Sequence, residues 1–131
     1  MPPILFDEHN ADMMDNVRPI KWVDPEADKK YDMVVIGAGA GGLVSAIGSA
    51  GVGAKVAMIE RNYFGGDCLV TGCVPSKAFI KSAHVAHTSH NSEEFGVEAS
   101  WAKVNFKKVM ERMRMIRSQI SSNDSVHRCA K

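Results

Sequence analysis

The chain has 131 residues, a length that suits one domain, and its apolar content of 45% is ordinary for a soluble globular protein. Its 16 basic and 15 acidic residues leave a formal charge of +1, so the composition gives no electrostatic basis for binding nucleic acid or an anionic membrane. No apolar run approaches the roughly 18 to 20 residues that a membrane span needs, and the N-terminus lacks the pattern of a secretory signal.

Residues 1–30 are predicted to form an N-terminal extension, because they show no sustained period and contain four of the five prolines. A short helix is predicted near residues 7–16. Ile20 and Trp22 are the apolar side chains that could dock on the domain that follows. No catalytic role follows from this segment.

A strand, a helix and a second strand are predicted next. Residues 31–36 have a polar start and then an unbroken apolar run, which is typical of a strand covered on both faces in a parallel α/β sheet. A glycine-rich turn over residues 37–42 leads to a helix over 43–50, and an apolar strand follows over 55–60. The fold class is therefore α/β, with a Rossmann-like βαβ unit.

The turn between the first strand and the helix carries a dinucleotide-binding fingerprint. Gly37, Gly39 and Gly42 match the pattern G-x-G-x-x-G, and Glu60 follows 23 residues after the first glycine. Gly37 would permit the tight turn, Gly39 would let a pyrophosphate approach the backbone, and Gly42 would let the helix pack on the strand. Glu60 would accept hydrogen bonds from the ribose hydroxyls, and the helix N-terminus would attract the phosphates.

Two further helices are predicted in the second half of the chain, over residues 77–90 and 105–121, with a turn over 91–99 between them. The second helix has an apolar stripe with spacings of 3 and 4 residues, formed by Phe106, Val109, Met113, Ile116 and Ile120. Basic residues are assigned to its other faces, namely Lys107, Lys108, Arg112, Arg114 and Arg117. We interpret the stripe as a core face, with a partner-binding face as the alternative.

Cys68 and Cys73 form a candidate redox pair. On a regular helix their Cα atoms would be ~8.7 Å apart, beyond the roughly 7 Å that a disulfide allows. A bridge therefore needs a distorted turn, which Gly72 and Pro75 can supply. A strained bridge of this kind suits a reversible redox centre. Because the chain has three cysteines and no secretory signal, we expect a reducing compartment, the cytoplasm, with an organelle as the alternative.

Two other interpretations of the cysteine pair remain open. It could be half of a zinc site, for which His84, His87 and His90 would be the nearest further ligands. It could also be two inert packed thiols. The third cysteine, Cys129, has no assigned role.

The run Cys-Leu-Val-Thr-Gly-Cys-Val-Pro-Ser-Lys at residues 68–77, downstream of the fingerprint, resembles the flavoprotein disulfide reductases of the class I pyridine nucleotide-disulfide oxidoreductase family. This family includes dihydrolipoamide dehydrogenase, glutathione reductase and mercuric reductase. The segment Gly-Gly-Asp-Cys at residues 65–68 is most similar to the mercuric reductase-like and dihydrolipoamide dehydrogenase-like branch. The resemblance runs from about residue 31 into the region before residue 131.

The resemblance implies a cofactor and residue roles. The first fingerprint of this family binds FAD, and NAD(P)H, a co-substrate of the full-length parent, binds a second fingerprint that residues 1–131 do not contain. Cys68 would be the interchange thiol, Cys73 the thiolate that faces the flavin, and Lys77 a neighbour of flavin N5. We expect the helix N-terminus and Lys77 to lower the thiol pKa, whereas Asp67 could raise the pKa of Cys68.

The resemblance also implies a function and an extent. Electrons would pass from NAD(P)H through FAD and the Cys68–Cys73 disulfide to a small-molecule or protein disulfide, or to a metal ion. The parent would be a homodimer without nucleic-acid or membrane partners. Residues 31–131 would be the first part of an FAD/NAD(P)-binding domain, so we expect an incomplete domain and weak activity. The alternatives are a non-catalytic nucleotide-binding fragment and a thiol-based metal-binding protein.

Overall fold

The computed structural model describes residues 7–27, 30–99 and 103–130. The first six residues of the predicted extension lie outside the described residues. The elements in chain order are α1 (Glu8–Val17), β1 (Met33–Ile36), α2 (Ala40–Gly51), β2 (Val56–Ile59), α3 (Gly66–Val70), α4 (Cys73–His90), a 3-10 turn (Ser92–Phe95), α5 (Phe106–Ser121) and α6 (Val126–Cys129). The predicted mixed α/β architecture is confirmed. No helix within the described ranges has both the length and the apolar character that crossing a bilayer requires.

The βαβ unit has the predicted order. β1 and β2 run parallel, and their register aligns Met33 with Val56 and Ile36 with Ile59. The parallel direction follows from α2, which carries the chain back along the sheet before β2 begins. Both strands are shorter than predicted, and α2 is longer because it begins inside the glycine-rich turn.

Within the described residues the sheet is covered on one face only, as expected for an incomplete domain, whereas the apolar run of β1 is typical of a strand covered on both faces. Val35 is 8% exposed beneath α2, whereas Val34 and Ile36 on the opposite face are 54% and 85% exposed. The cause is that α2 is the helix that packs against β1 and β2. Such a half-covered sheet agrees with a partial Rossmann-like unit.

The main core cluster lies away from the sheet. It consists of Met13 and Val17 from α1 together with Leu69 and Val70 from α3. The short helix predicted near residues 7–16 is therefore confirmed, and it is one of the elements that form the core. Asp7 is the N-cap residue of α1. Its carboxylate accepts a hydrogen bond from the backbone N–H of Asn10 at 2.8 Å.

The two side chains proposed for docking behave differently. Ile20 is fully exposed, so its predicted docking is wrong. Trp22 contacts the ring of His127 in α6 edge to face, with 5.9 Å between ring centroids. The Trp22 indole N–H donates to Asp24 rather than to the domain.

Helix α5 turns the middle and the end of its apolar stripe inward, which supports the core-face interpretation there, whereas Phe106 at its start is 65% exposed. Met113 is buried, Ile120 packs on the main core cluster, and Phe106 stacks on Phe79 of α4 with 6.4 Å between ring centroids. Two of the basic residues on its other faces contact neighbouring helices. Arg114 forms an ion pair with Asp7, and Arg117 donates to the backbone of α3, so both side chains lie between helices.

Candidate functional site

The glycine turn (residues 37–42) joins β1 to α2, and its backbone requires glycine at two positions. Gly37 has φ of +102°, a conformation that L side chains rarely adopt. A Cβ at Gly42 would lie 1.8 Å from the Gly37 carbonyl oxygen, so only glycine permits this approach of helix and strand. A Cβ at Gly39 would meet no atom within 4 Å, which leaves open space at the start of α2.

The N-terminus of α2 has the properties of an anion site. Gly39 is its N-cap residue and supplies no side-chain hydrogen bond to the first turn. Because the first N–H groups of a helix have no intrahelical partner, they remain available to a ligand. The first turn also contains no acidic residue that would oppose an anion.

Glu60, just after β2, is bonded to the glycine turn. One carboxylate oxygen accepts the Ala38 N–H at 2.8 Å, and the other accepts the Asn62 N–H at 2.7 Å. Burial acts to raise the pKa of Glu60, but the backbone hydrogen bonds outweigh it and hold the pKa below its ordinary value. Glu60 therefore fixes the turn in place.

The two-cysteine segment (residues 65–77) begins directly against the glycine turn. The Gly65 N–H donates to the Ala38 carbonyl at 2.8 Å. A Cβ at Gly66 would lie 2.8 Å from the Gly39 Cα, so the two backbones are in contact. Gly65 and Gly66 both have positive φ, at +82° and +56°. The structure thus brings the candidate nucleotide site and the candidate redox site together.

The two cysteines lie on either side of a break between helices. Cys68 is in α3 and Cys73 is the first residue of α4. At Gly72 a Cβ would lie 2.8 Å from the Asp67 carbonyl oxygen, so this tight turn needs glycine. Pro75 lies in the first turn of α4, where its missing N–H is not required.

Cys68 and Cys73 are both free thiols in the structure, and they interact. A hydrogen bond with the Cys73 side chain raises the pKa of Cys68 above its ordinary value, and burial adds to this effect. The positive charge of Lys77 lowers the pKa of Cys68, as predicted, but it is outweighed. The pKa of Cys68 is therefore raised, the direction that was predicted for an effect of Asp67, but the increase comes from the neighbouring thiol and from burial.

The described residues do not provide a set of ligands for zinc. Among them, no three His, Cys, Asp or Glu side chains come together in a way that could hold a metal ion. His84, His87 and His90 are exposed on α4, and the His87 ring lies 3.3 Å from the Asn91 side-chain nitrogen. Cys129 is half-buried in α6, and burial raises its pKa.

One contact to the two-cysteine segment was not predicted from the sequence. Arg117 of α5 donates to the Val70 carbonyl at 2.6 Å. Arg117 follows Met113 by four residues and precedes Ile120 by three, so it borders the inward face of the helix. That spacing was the signal that could have identified it.

The family model described as pyridine nucleotide-disulphide oxidoreductase matches residues 31–127. The dihydrolipoyl dehydrogenase of Bacillus subtilis is 41% identical over 93 residues, which is 71% of this chain and 20% of that protein. The dihydrolipoyl dehydrogenase of Corynebacterium glutamicum is 48% identical over 91 residues, 69% of this chain and 19% of that protein. The enzyme of the same name from Acholeplasma laidlawii is 44% identical over 86 residues, 61% of this chain and 26% of that protein.

The chain thus spans about a fifth to a quarter of the length of these relatives. The family match covers most of the chain and includes both the glycine turn and the two-cysteine segment. This chain belongs to the pyridine nucleotide-disulphide oxidoreductase family.

Proposed function

We propose that the protein acts in FAD-dependent redox chemistry, in which Cys68 and Cys73 pass electrons drawn from NAD(P)H to a disulfide or a metal ion. The observation that carries the proposal is the contact between the glycine turn and the two-cysteine segment, through the Gly65 N–H and the Ala38 carbonyl. Among disulfides, the lipoyl group in the relatives' names is the first substrate to test. NAD(P)H is proposed as the electron source of the whole protein.

The residues of the glycine turn fit FAD. The open space at Gly39 and the uncapped start of α2 would receive the pyrophosphate. Glu60 would hold the ribose, because each carboxylate oxygen has two lone pairs and its present hydrogen bonds leave acceptor capacity. Lys77 would lie beside the flavin. When bound, FAD supplies two-electron exchange between a nicotinamide and a thiol pair.

The chain's own residues would supply the thiol chemistry. When Cys68 and Cys73 form a disulfide, they lose two protons and two electrons, and reduction returns both. The two thiols interact across the break between α3 and α4. Cys73 would be the thiolate that faces the flavin and Cys68 the thiol that exchanges with substrate, which are the roles that the family resemblance implies.

The proposal is tested by titrating the 131-residue chain with FAD and following flavin fluorescence. Gly39→Val should weaken binding by at least about tenfold, because the side chain would fill the space that the pyrophosphate needs. Gly48→Ala in the middle of α2 is the matched control, since a Cβ there meets no atom within 4 Å. We expect it to bind FAD as the unchanged chain does. Equal affinity of Gly39→Val and the unchanged chain would show that the glycine turn is not the phosphate site.

A further inference from the structure

Helix α3, which carries Cys68, is held at both ends. Just before it, the Phe64 N–H donates to the Val17 carbonyl at the end of α1, at 3.1 Å. At its last residue, the Val70 carbonyl accepts a hydrogen bond from the Arg117 guanidinium at 2.6 Å. Between these points, Leu69 packs on α1 in the main core cluster. The position of α3 therefore depends on α1 and α5.

Arg117 is itself fixed by α1. Its second terminal nitrogen donates to the side-chain carbonyl of Asn10, which is buried. Burial lowers the pKa of the guanidinium, while the negative charge of Asp7 opposes that change. One turn earlier on α5, Arg114 is ion-paired with the same Asp7. The guanidinium is thus held in one place between three helices.

The position of the Val70 carbonyl affects the geometry of the break between the two cysteines. Val70 ends α3, where helix carbonyls lack intrahelical partners, and Thr71 and Gly72 then form the break that leads to Cys73. The break must stay tight, because a straight helix would hold the two Cα atoms ~8.7 Å apart, and a disulfide allows roughly 7 Å. A donor fixed on the Val70 carbonyl restrains the first residue of this break.

We propose that Arg117, anchored by Asn10, is a positioning residue that keeps Cys68 and Cys73 at the separation that disulfide formation requires. The inference rests on the proposed function, since it treats the two thiols as a redox pair. It assigns α1 a role in that pair, although α1 contributes no group to the reaction.

The test is the thiol–disulfide equilibrium of the full chain in buffers of reduced and oxidised glutathione, in a Cys129→Ser background. Closing the bond takes two protons and two electrons from the cysteines, and the cleaved S–S bond of oxidised glutathione accepts them as two glutathione thiols. The fraction of linked Cys68–Cys73 peptide is read by alkylation and mass spectrometry. Arg117→Met should lower the closure constant at least about tenfold, the effect expected from loss of a charge-assisted hydrogen bond. Arg117→Lys keeps a cationic donor, so its closure constant should be close to that of the unchanged chain.

Asn16→Ala is the matched control, because it removes the 3.0 Å hydrogen bond from Asn16 to Ser121 between α1 and α5 without touching α3. It should lower the urea midpoint and leave the closure constant unchanged. A closure constant of Arg117→Met equal to that of Asn16→Ala would overturn the inference, whatever the stability of either variant.

If Arg117→Met does not fold, Asn10→Ala takes its place, since it removes the anchor and leaves the guanidinium. Its closure constant should fall below that of Asn16→Ala, and equal values would overturn the inference. An unchanged chain that forms no Cys68–Cys73 bond at any glutathione ratio would overturn the redox pair itself. The two failures are therefore distinguishable.

Discussion

Glu60 has a structural role beside the binding role that is predicted for it. Its place at the end of the second strand predicts contact with a ribose, and that role stays a prediction. The structure adds hydrogen bonds from Ala38 and Asn62, which connect the glycine turn to β2. The fingerprint gave no sign of them, because a backbone N–H belongs to every residue except proline and leaves no mark on the sequence.

These hydrogen bonds predict a pH-dependent loss of stability in Glu60→Gln. At pH 7 the variant should be less stable by about 1 to 2 kcal/mol, because an amide oxygen can replace only part of the carboxylate's acceptor capacity. The lowered pKa of Glu60 means that its contribution is present above the ordinary value of 4.5 and is lost as the pH falls through the folded-state pKa. Urea unfolding of both proteins from neutral to acidic pH should therefore show a difference that shrinks with acid.

Glu26→Gln is the control for this experiment, because Glu26 is exposed in the connection after α1. It should change stability by less than about 0.5 kcal/mol at any pH. A Glu60→Gln difference that stays constant down to low pH would contradict the assignment of these bonds to the ionised carboxylate.

At the scale of elements, α1 contributes more to the core than its sequence suggested. The prediction of residues 1–30 as an extension rested on prolines and on the absence of a period. Helix α1 has only ten residues, and Met13 and Val17 are its two buried apolar side chains. Two positions are too few to form a recognisable apolar stripe in the sequence. The packing of Met13 and Val17 depends on contacts with α3 and α5, which the sequence of α1 alone does not indicate.

Replacement of Met13 tests this role of α1. Met13 is completely buried in the main core cluster, so Met13→Ala should lower the free energy of unfolding by about 2 to 4 kcal/mol. Ile20→Ala, three residues beyond the end of α1, removes a side chain that is fully exposed and should cost less than about 0.5 kcal/mol. Equal urea midpoints for the two variants would show that α1 does not support the core.

At the scale of the whole molecule, the described residues form two regions of different character. The helices α1, α3 and α5 enclose a core, whereas the sheet has one apolar face without cover among the described residues. Val34, Ile36 and Ile59 are each more than half exposed on that face. Contiguous exposed apolar surface with open strand edges promotes association.

We therefore expect the 131-residue chain to associate with further copies of itself through the open sheet face. Sedimentation velocity across a range of concentrations should show a rising mean mass. Val34→Thr should reduce this rise in mean mass, because threonine keeps the β-branched shape and places a hydroxyl on the open sheet face. Val23→Thr alters a side chain that is 83% exposed in the connection between α1 and β1, outside the strands, and should leave the mass distribution unchanged. A monomer at every concentration would contradict this expectation.

The features that could be predicted are those encoded within short stretches. The order β1, α2, β2 and the glycine spacing follow from local pattern, and so does the inward face of α5. Arg117 escaped prediction because a long cationic side chain beside an apolar stripe can turn either way. The cause of the raised pKa of Cys68 was missed, because it depends on how closely the two thiols approach across the break at Gly72.

The bonds that surround α3 join distant parts of the chain. Asn10 and Arg117 are 107 positions apart, and Asn16 and Ser121 are 105 apart, whereas Ala38 and Glu60 in the βαβ unit are separated by 22. Because the entropy lost in closing a loop grows with its length, we expect the βαβ unit to form early and the α1–α5 pairing to form late. During synthesis both cysteines leave the ribosome before the arginine that restrains them has been added. The two thiols would then reach their final arrangement as one of the last events of folding.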